Sequence, residues 1–257
     1  MAKQKLSAVI IAYNEEAHIA RCIGSLRDVA DDILVVDSFS QDRTVEIAEN
    51  LGARVIQNVF EGHIQQKNFA KDKAQYDFVL SLDADEALSD ELIESIRTEK
   101  LDGFPCSGYY MNRRNFVGKL AVTGCGWYPD RKLRLWNRND GQWQGINPHD
   151  RFQLKRGIGL IKGELKGDLL HYSYPNNKAV FKKSLQYGKI GANYCKTLPW
   201  PKLLLKLIFS PPFKFVRNYF FKRGFLFGWT GFVICLSQMI EGYIKYGLGI
   251  KMKVFSR

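Results

Sequence analysis

Cysteine is scarce and unpatterned in this chain of 257 residues. The five cysteines, Cys22, Cys106, Cys125, Cys195 and Cys235, are odd in number, widely spaced and free of any C-x-x-C pair. That spacing argues against a zinc knuckle and a thioredoxin-type dithiol, and it reads as reduced thiols in a cytosolic protein. No G-x-G-x-x-G follows the first apolar run and no Walker A sequence occurs, which argues against dinucleotide and P-loop chemistry. Internal repeats and low-complexity segments are missing as well. The charge-free stretch Gly224 to Ile240 holds 17 residues, short of the roughly 20 that a spanning helix usually needs. The basic start runs into a short apolar segment that ends at Glu15 and Glu16 without a cleavage signature. A strand is expected there rather than a signal peptide.

Acidic residues are nearly absent from one region. From Lys196 to Arg257 there are 11 Lys and Arg against the single acid Glu241, so the net charge of +12 belongs almost wholly to that quarter. The same quarter is dense in Phe, Tyr, Trp, Leu and Ile. Bulky apolar residues interleaved with cations suit an anionic membrane surface better than nucleic acid, which favours cations among polar residues and a few stacking aromatics. An interfacial or partly embedded helix is expected, with a buried helical hairpin or a dimer interface as the plain alternative. Pro199, Pro201, Pro211 and Pro212 punctuate the passage into this region.

What is present elsewhere is ordinary for a globular protein, with 46% hydrophobic and 25% charged residues. The length is enough for one or two domains with a real core. "LSAVIIAY" (6–13) is a continuous apolar run, as in a strand buried on both faces. "DILVVDS", "RVIQNV" and "DFVLSLDADE" are three further strands. Between them lie helices over about 15–30, over "DRTVEIAENLGA" closed by Gly52, and over "HIQQKNFAKDKA". Another helix starts at Ser89 with Asp90 and Glu91 in its first turn. This alternation implies a mostly parallel sheet covered on both faces, with ligands at the carboxyl ends of the strands. From about Gly103 to Leu170 short strands, glycines and aromatics predict a mixed antiparallel extension that completes the same site.

Acids stand at those strand ends: Glu15 and Glu16, then Asp37, then Asp83, Asp85 and Glu86. Alternation along a strand lets Asp83 and Asp85 project to one side, where they repel unless something cationic joins them. Mg²⁺ or Mn²⁺ suits such oxygen ligands and typically binds through one or two carboxylates plus substrate phosphates.

"SAVIIAYNEE", "ILVVDSFSQDRT", "QQKNFA" and "VLSLDADE" occur in order at sensible spacings. Together they resemble the motifs of family 2 glycosyltransferases with the GT-A fold. "GWYPDRKLRLWNR", "WQGINPHDRF" and "RNYFFKRGFLFGWTGF" resemble a narrower branch, the lipopolysaccharide core β-1,4-glucosyltransferases. The resemblance implies an α/β GT-A catalytic domain over 1–195 and a helical, membrane-associating region over 196–257. It implies a metal-dependent, inverting transfer of a sugar, glucose in that branch, from a UDP-sugar to an inner-core heptose. The enzyme would sit peripherally on the cytoplasmic face of the bacterial inner membrane. A polyprenyl-phosphate or other lipid-linked acceptor is the alternative. A non-catalytic basic nucleic-acid-binding protein is a distant one, since it needs none of the strand-end acids.

The same resemblance implies roles. Ala12, Tyr13 and Glu15 would line the nucleotide, Asp37 would bond the base edge, and Lys67 would meet the diphosphate. Asp83 would contact ribose or metal, and Asp85 would bind the Mg²⁺ or Mn²⁺. Asp150 would be the catalytic base, where similar sequences carry a glutamate one methylene longer. Asp130 is the competing base and His171 a third metal ligand. His149 would orient the base or sit beside the phosphate. Trp127, Tyr128 and Trp143 would stack on sugars, and Arg131, Arg134 and Arg138 would meet an anionic acceptor. Plainer roles stand beside these: a helix cap for Asp37, an exposed helix lysine for Lys67, core for His171 and the tryptophans, and a solvated acid for Glu86.

Overall fold

The computed structural model describes residues 4–147, 149–155, 162–195 and 198–255. They divide into two compact units, Met1–Arg113 with Asp130–His171, and Arg114–Pro129 with Tyr172–Arg257.

The first unit is built on one sheet. Strands β1 (Leu6–Ala12), β2 (Asp32–Asp37), β3 (Arg54–Gln57) and β4 (Phe78–Asp83) lie in the order β3-β2-β1-β4 and pair in parallel. Helices α1 (Ile19–Leu26), α2 (Thr44–Asn50) and α3 (His63–Asp72) connect them. The sheet continues through β8 (Asp130–Asn137), β6 (Gly108–Val117), β11 (Lys162–Tyr174) and β5 (Glu86–Leu88). In this part β8 runs antiparallel to β4, β6 to β8, and β5 to β11. A hairpin of β9 (Gly141–Ile146) and β10 (His149–Leu154) stands apart from the sheet.

The alternation of β1 explains the two layers. Ala8, Ile10 and Ala12 face a core with Ile19, Ile23 and Leu26 of α1 and with Leu92 and Ile96 of α4 (Asp90–Leu101). Val9 and Ile11 face the opposite core, with Ala70 of α3 and with Trp136, Trp143 and Phe152. A strand whose odd and even residues both meet apolar partners must be apolar throughout, which is why the run 6–13 has no polar alternation. Helix α1 is shorter than the periodicity predicts, because Glu15 to His18 form a turn before it. Helix α4 starts as expected, with Ser89 Oγ accepting the Leu92 N–H at 3.3 Å.

Parallel register aligns the strand ends. Ala12 stands beside Asp37, and Ile11 beside Asp83. The remaining side of the site depends on β11, which passes the start of α4 at Gly167. That residue has a left-handed backbone (φ +85), and a Cβ there would lie 2.3 Å from the Leu92 nitrogen. Gly167→Ala is expected to lower stability by about 3 kcal/mol, from strain plus the clash. Urea unfolding of the two proteins measures it, and an unchanged midpoint would refute the argument.

The second unit contains β7 (Leu120–Val122), paired with the end of β6, and helices α5 (Asn177–Cys195), α6 (Trp200–Val216) and α7 (Gly228–Phe255). Gly188 and Gly191 of α5 bring that helix so close to α7 that a methyl at either would sit 3.0 Å from Ile244 or Lys245. With this contact α5 belongs to the second unit, so the division falls before Tyr172 rather than at 195/196. Residues 114–129, which include the end of β6 and β7, belong to the second unit with α5 and α7. Nor do all four prolines punctuate. Pro201 occupies the first turn of α6, where its missing N–H is harmless, while Pro211 and Pro212 lie inside that helix.

Candidate active site

The carboxyl ends of β1, β2 and β4 carry the expected acids, each held differently. Asp37 is fully buried, and its Oδ2 accepts the Ser40 N–H at 2.9 Å while Oδ1 accepts the Ser40 hydroxyl. The loop after β1 is tied to the loop after β2 by Asn14 N–H to Ser40 Oγ at 2.8 Å and by Glu15 N–H to Thr44 Oγ1 at 2.7 Å. Ala12 is buried below these loops, and Tyr13 stands 56% exposed at their edge. Burial raises the Glu15 carboxyl above its ordinary value, against the 2.7 Å contact with His18 Nδ1, and the nearby Asp85 charge pushes the same way as burial.

Lys67 is not the exposed helix lysine of the plain reading. It is 4% exposed on α3, with Nζ 3.1 Å from Asp83 Oδ1 and 2.8 Å from Asp150 Oδ2. Asp150 reaches this point from β10, so the hairpin brings the candidate base to Asp83 with one lysine between them. The side chain of His149 lies outside the described residues.

Three cations and four carboxylates form one alternating chain through the unit. Asp150 meets Lys67, Lys67 meets Asp83, and Asp83 meets Arg134 at 3.1 Å. Arg134 meets Glu86 at 3.0 Å, Glu86 meets Arg113 at 3.5 Å, and Arg113 meets Asp130 at 2.8 Å. Burial disfavours the Asp83 charge, but Lys67 and Arg134 outweigh it and hold the carboxyl well below the usual carboxylate range. Burial likewise acts against Asp130, yet Arg113 and Lys132 keep its carboxyl low. A carboxylate so paired is a weak proton acceptor, which counts against Asp130 as the base.

Several assignments change in the structure. Glu86 is not a solvated acid. It is buried, and its Oε2 accepts the Asp83 N–H at 2.9 Å. Arg134 is buried inside the chain rather than offered to an acceptor, Arg138 pairs with Asp77, and Arg131 pairs with Glu164. Trp143 is 4% exposed, edge-on to Trp136, with Lys67 Nζ 4.7 Å from its ring centre. It is therefore core and a platform for the lysine, not a sugar-stacking face. Trp127, in the second unit, stacks on Tyr174 at 5.1 Å. The part of Glu86, Arg113 and Arg134 was missed because no local motif marks an ion pair between distant strands. The one usable signal was alternation in β8, which puts Arg134 on the same side as the core residue Trp136.

Glu86→Gln keeps the shape and can still accept the Asp83 N–H, but it leaves Arg134 and Arg113 short of a negative partner. A loss of about 3 kcal/mol is expected, as for breaking a buried pair. Thermal and urea unfolding measure it, and wild-type stability would show that the chain is not structural.

Asp85 lies beyond the alternating chain. It is 19% exposed on its side chain, with Oδ2 3.3 Å from His171 Nε2. Among the described residues no group of three acids, histidines or cysteines is already gathered as a metal cage. The Asp85 carboxylate fits Mg²⁺ or Mn²⁺, which bind through one or two carboxylates plus substrate phosphates, while the His171 imidazole beside it suits Mn²⁺ better than Mg²⁺.

Four parallel strands with acids at their carboxyl ends, extended by antiparallel strands, are the arrangement expected of the GT-A fold. Residues 7–158 match the family described as Glycosyl transferase family 2, and the chain belongs to that family. A glycosyltransferase of Rickettsia felis is 50% identical, across 95% of this chain and 87% of its own. The lipopolysaccharide core biosynthesis glycosyltransferase LpsC of Rhizobium meliloti is 27% identical, across 94% of this chain and 90% of its own. Among solved structures, glucosyl-3-phosphoglycerate synthase of Mycobacterium tuberculosis, in complex with Mn²⁺, UDP and its product, is similar over 54% of this chain and 58% of that one. Its TM-score is 0.40 at 23% identity.

Proposed function

We propose that the chain is a metal-dependent, inverting glycosyltransferase that moves glucose from UDP-glucose to an inner-core heptose of lipopolysaccharide. The observation that carries this reading is the convergence on Lys67, which joins a donor-side carboxylate at 3.1 Å to a candidate base at 2.8 Å. The similarity to LpsC along nearly the whole chain supports a lipopolysaccharide core acceptor.

In this reading Ala12, Tyr13, Glu15 and Asp37 bind the nucleoside, and Asp83 binds its ribose. Asp85, beside His171, holds Mg²⁺ or Mn²⁺. When bound, the ion neutralises charge on the departing diphosphate. Lys67 supplies a second positive charge on that side. Asp150 takes the proton of the acceptor hydroxyl as its oxygen attacks the anomeric carbon. The bond to UDP breaks on the opposite face, its electron pair leaves with the diphosphate, and the configuration inverts. The acceptor is held in the cytoplasmic leaflet of the inner membrane, and the basic C-terminal quarter keeps the enzyme on that surface.

The test is transfer from a panel of UDP-sugars to lipopolysaccharide truncated at the inner core, with polyprenyl phosphate as a second acceptor. A new glucose on heptose is expected. Transfer confined to the polyprenyl acceptor would replace the acceptor assignment, and transfer with neither would remove the reading.

A further inference from the structure

The second unit carries an apolar face that its own fold does not use. On α6, Leu203 and Pro211 turn inward, whereas Leu204, Leu205, Ile208, Phe209, Phe213 and Val216 are exposed. These six recur at three- to four-residue spacing, so they form one stripe along the outer side of the helix. The stripe continues into the corner that follows. A π turn over Arg217–Phe221 and a 3₁₀ turn over Gly224–Phe227 present Phe220, Phe221, Phe225 and Leu226, and α7 opens with Trp229. Phe221 is 78% exposed and Trp229 71%. Exposed Lys202, Arg217, Lys222 and Arg223 flank this surface. A run of large apolar side chains facing water over such a length marks an interaction surface.

The corner is braced from within. Asn218 is buried and bonds Gln238 of α7, whose Nε2 donates to the Cys125 carbonyl at 3.2 Å. The Cys125 N–H in turn donates to the Lys222 carbonyl at 3.0 Å. These buried polar bonds hold the backbone of the turn, so its aromatic side chains project from a fixed base.

Helix α7 is packed by its own chain, although Gly224–Val254 is long and apolar enough to cross a bilayer. Ile234, Cys235, Ser237 and Gln238 are buried inside the unit. Gly188 and Gly191 seat α5 against it, and Gly242 seats it against Pro211 of α6. A helix packed on two sides by its own chain, with Glu241 and Lys245 in its middle, serves as the spine of the unit.

We propose that the outer stripe of α6 and the aromatic corner 220–229 together form a bilayer-docking surface for anionic phospholipid. The helix lies in the plane of the interface and the corner inserts as a wedge. This deepens the membrane-held acceptor reading above and rests on it only for its purpose, since docking itself needs no transferase activity. Charge selects the occupant. The region 196–257 carries 11 cations against one acid, so a second copy seated on this face would oppose its cations to their own kind, whereas anionic headgroups complement them. Apolar tips sink a few ångströms below the headgroups while Lys and Arg remain among them.

The full chain is tested by co-sedimentation with phosphatidylcholine vesicles, with and without phosphatidylglycerol, at low and high salt. Wild-type protein is expected to pellet with the anionic vesicles and only weakly with the neutral ones. Phe220→Ser/Phe221→Ser/Leu226→Ser is expected to weaken binding by about 10-fold or more without shifting the melting temperature, because all three side chains already face water. Lys222→Glu/Arg223→Glu is expected to erase the preference for anionic vesicles. Unchanged vesicle binding by the triple variant would overturn the proposal. So would a wild-type dimer, seen by sedimentation velocity without lipid and split by the triple substitution, because the face would then be a subunit interface. Donor-induced thermal stabilisation in the same samples reads the transferase site, so failure of that site is distinguishable from failure of docking.

Discussion

Asp150→Asn is expected to lower kcat by roughly 10²–10⁴-fold while the affinity for the nucleotide donor stays close to wild type. Asparagine keeps the volume of the side chain and an oxygen for Lys67, which lies 2.8 Å from the carboxylate. What it removes is the capacity to accept a proton. A base acts on the acceptor hydroxyl only as that oxygen attacks, so the loss falls on turnover rather than on donor binding. Steady-state kinetics with saturating donor, together with thermal stabilisation by UDP, separate the two effects. Retained turnover would remove Asp150 from the chemistry. The base would then not pass easily to Asp130, because Arg113 and Lys132 keep that carboxyl low and so make it a weak proton acceptor.

Asp85→Asn is expected to abolish the metal-dependent part of donor binding. A ligand that binds only the folded state stabilises it by mass action, by about 2.7 kcal/mol at 100 times its Kd. For a protein of this size that is a rise of about 5–10 °C in melting temperature. Wild-type protein should show the rise with UDP-glucose plus Mn²⁺ and much less of it without the ion. The variant should show no difference between the two conditions, and its transfer activity should fall with it. An equal rise in both proteins would sink the metal role. His171→Ala offers a graded comparison, since it removes the imidazole 3.3 Å from Asp85 while leaving the carboxylate.

The parallel half of the sheet was legible because its strands are buried on both faces. Ala8 to Ala12 could be apolar throughout only if both sides of the strand met a core, and the structure provides the two cores. Ser89 and Gly52 marked helix ends for reasons local to the backbone, one as a side-chain acceptor and the other through its positive φ of 83°. The boundary of the C-terminal region was not legible. Charge changes near residue 196, but packing groups α5 with α7, and the close approach at Gly188 and Gly191 has no signature in charge.

The sequence by itself determined the strand-end placement of Asp37 and Asp83, since a strand's length decides where its last residues fall, whereas Asp85 falls in the turn after β4 rather than on the strand. It also determined that the C-terminal quarter is basic and aromatic. The tertiary structure alone decided what neutralises those acids. Sequence reasoning anticipated a cation beside Asp83, and the fold supplies two from the chain itself, Lys67 from α3 and Arg134 from β8. It also decided that Asp150, more than sixty residues from Asp83 along the chain, shares a lysine with it, and that Trp143 supports that lysine rather than a sugar. Such assignments depend on which distant strands lie side by side, and ion pairs acting over a few ångströms leave no periodic trace in the sequence.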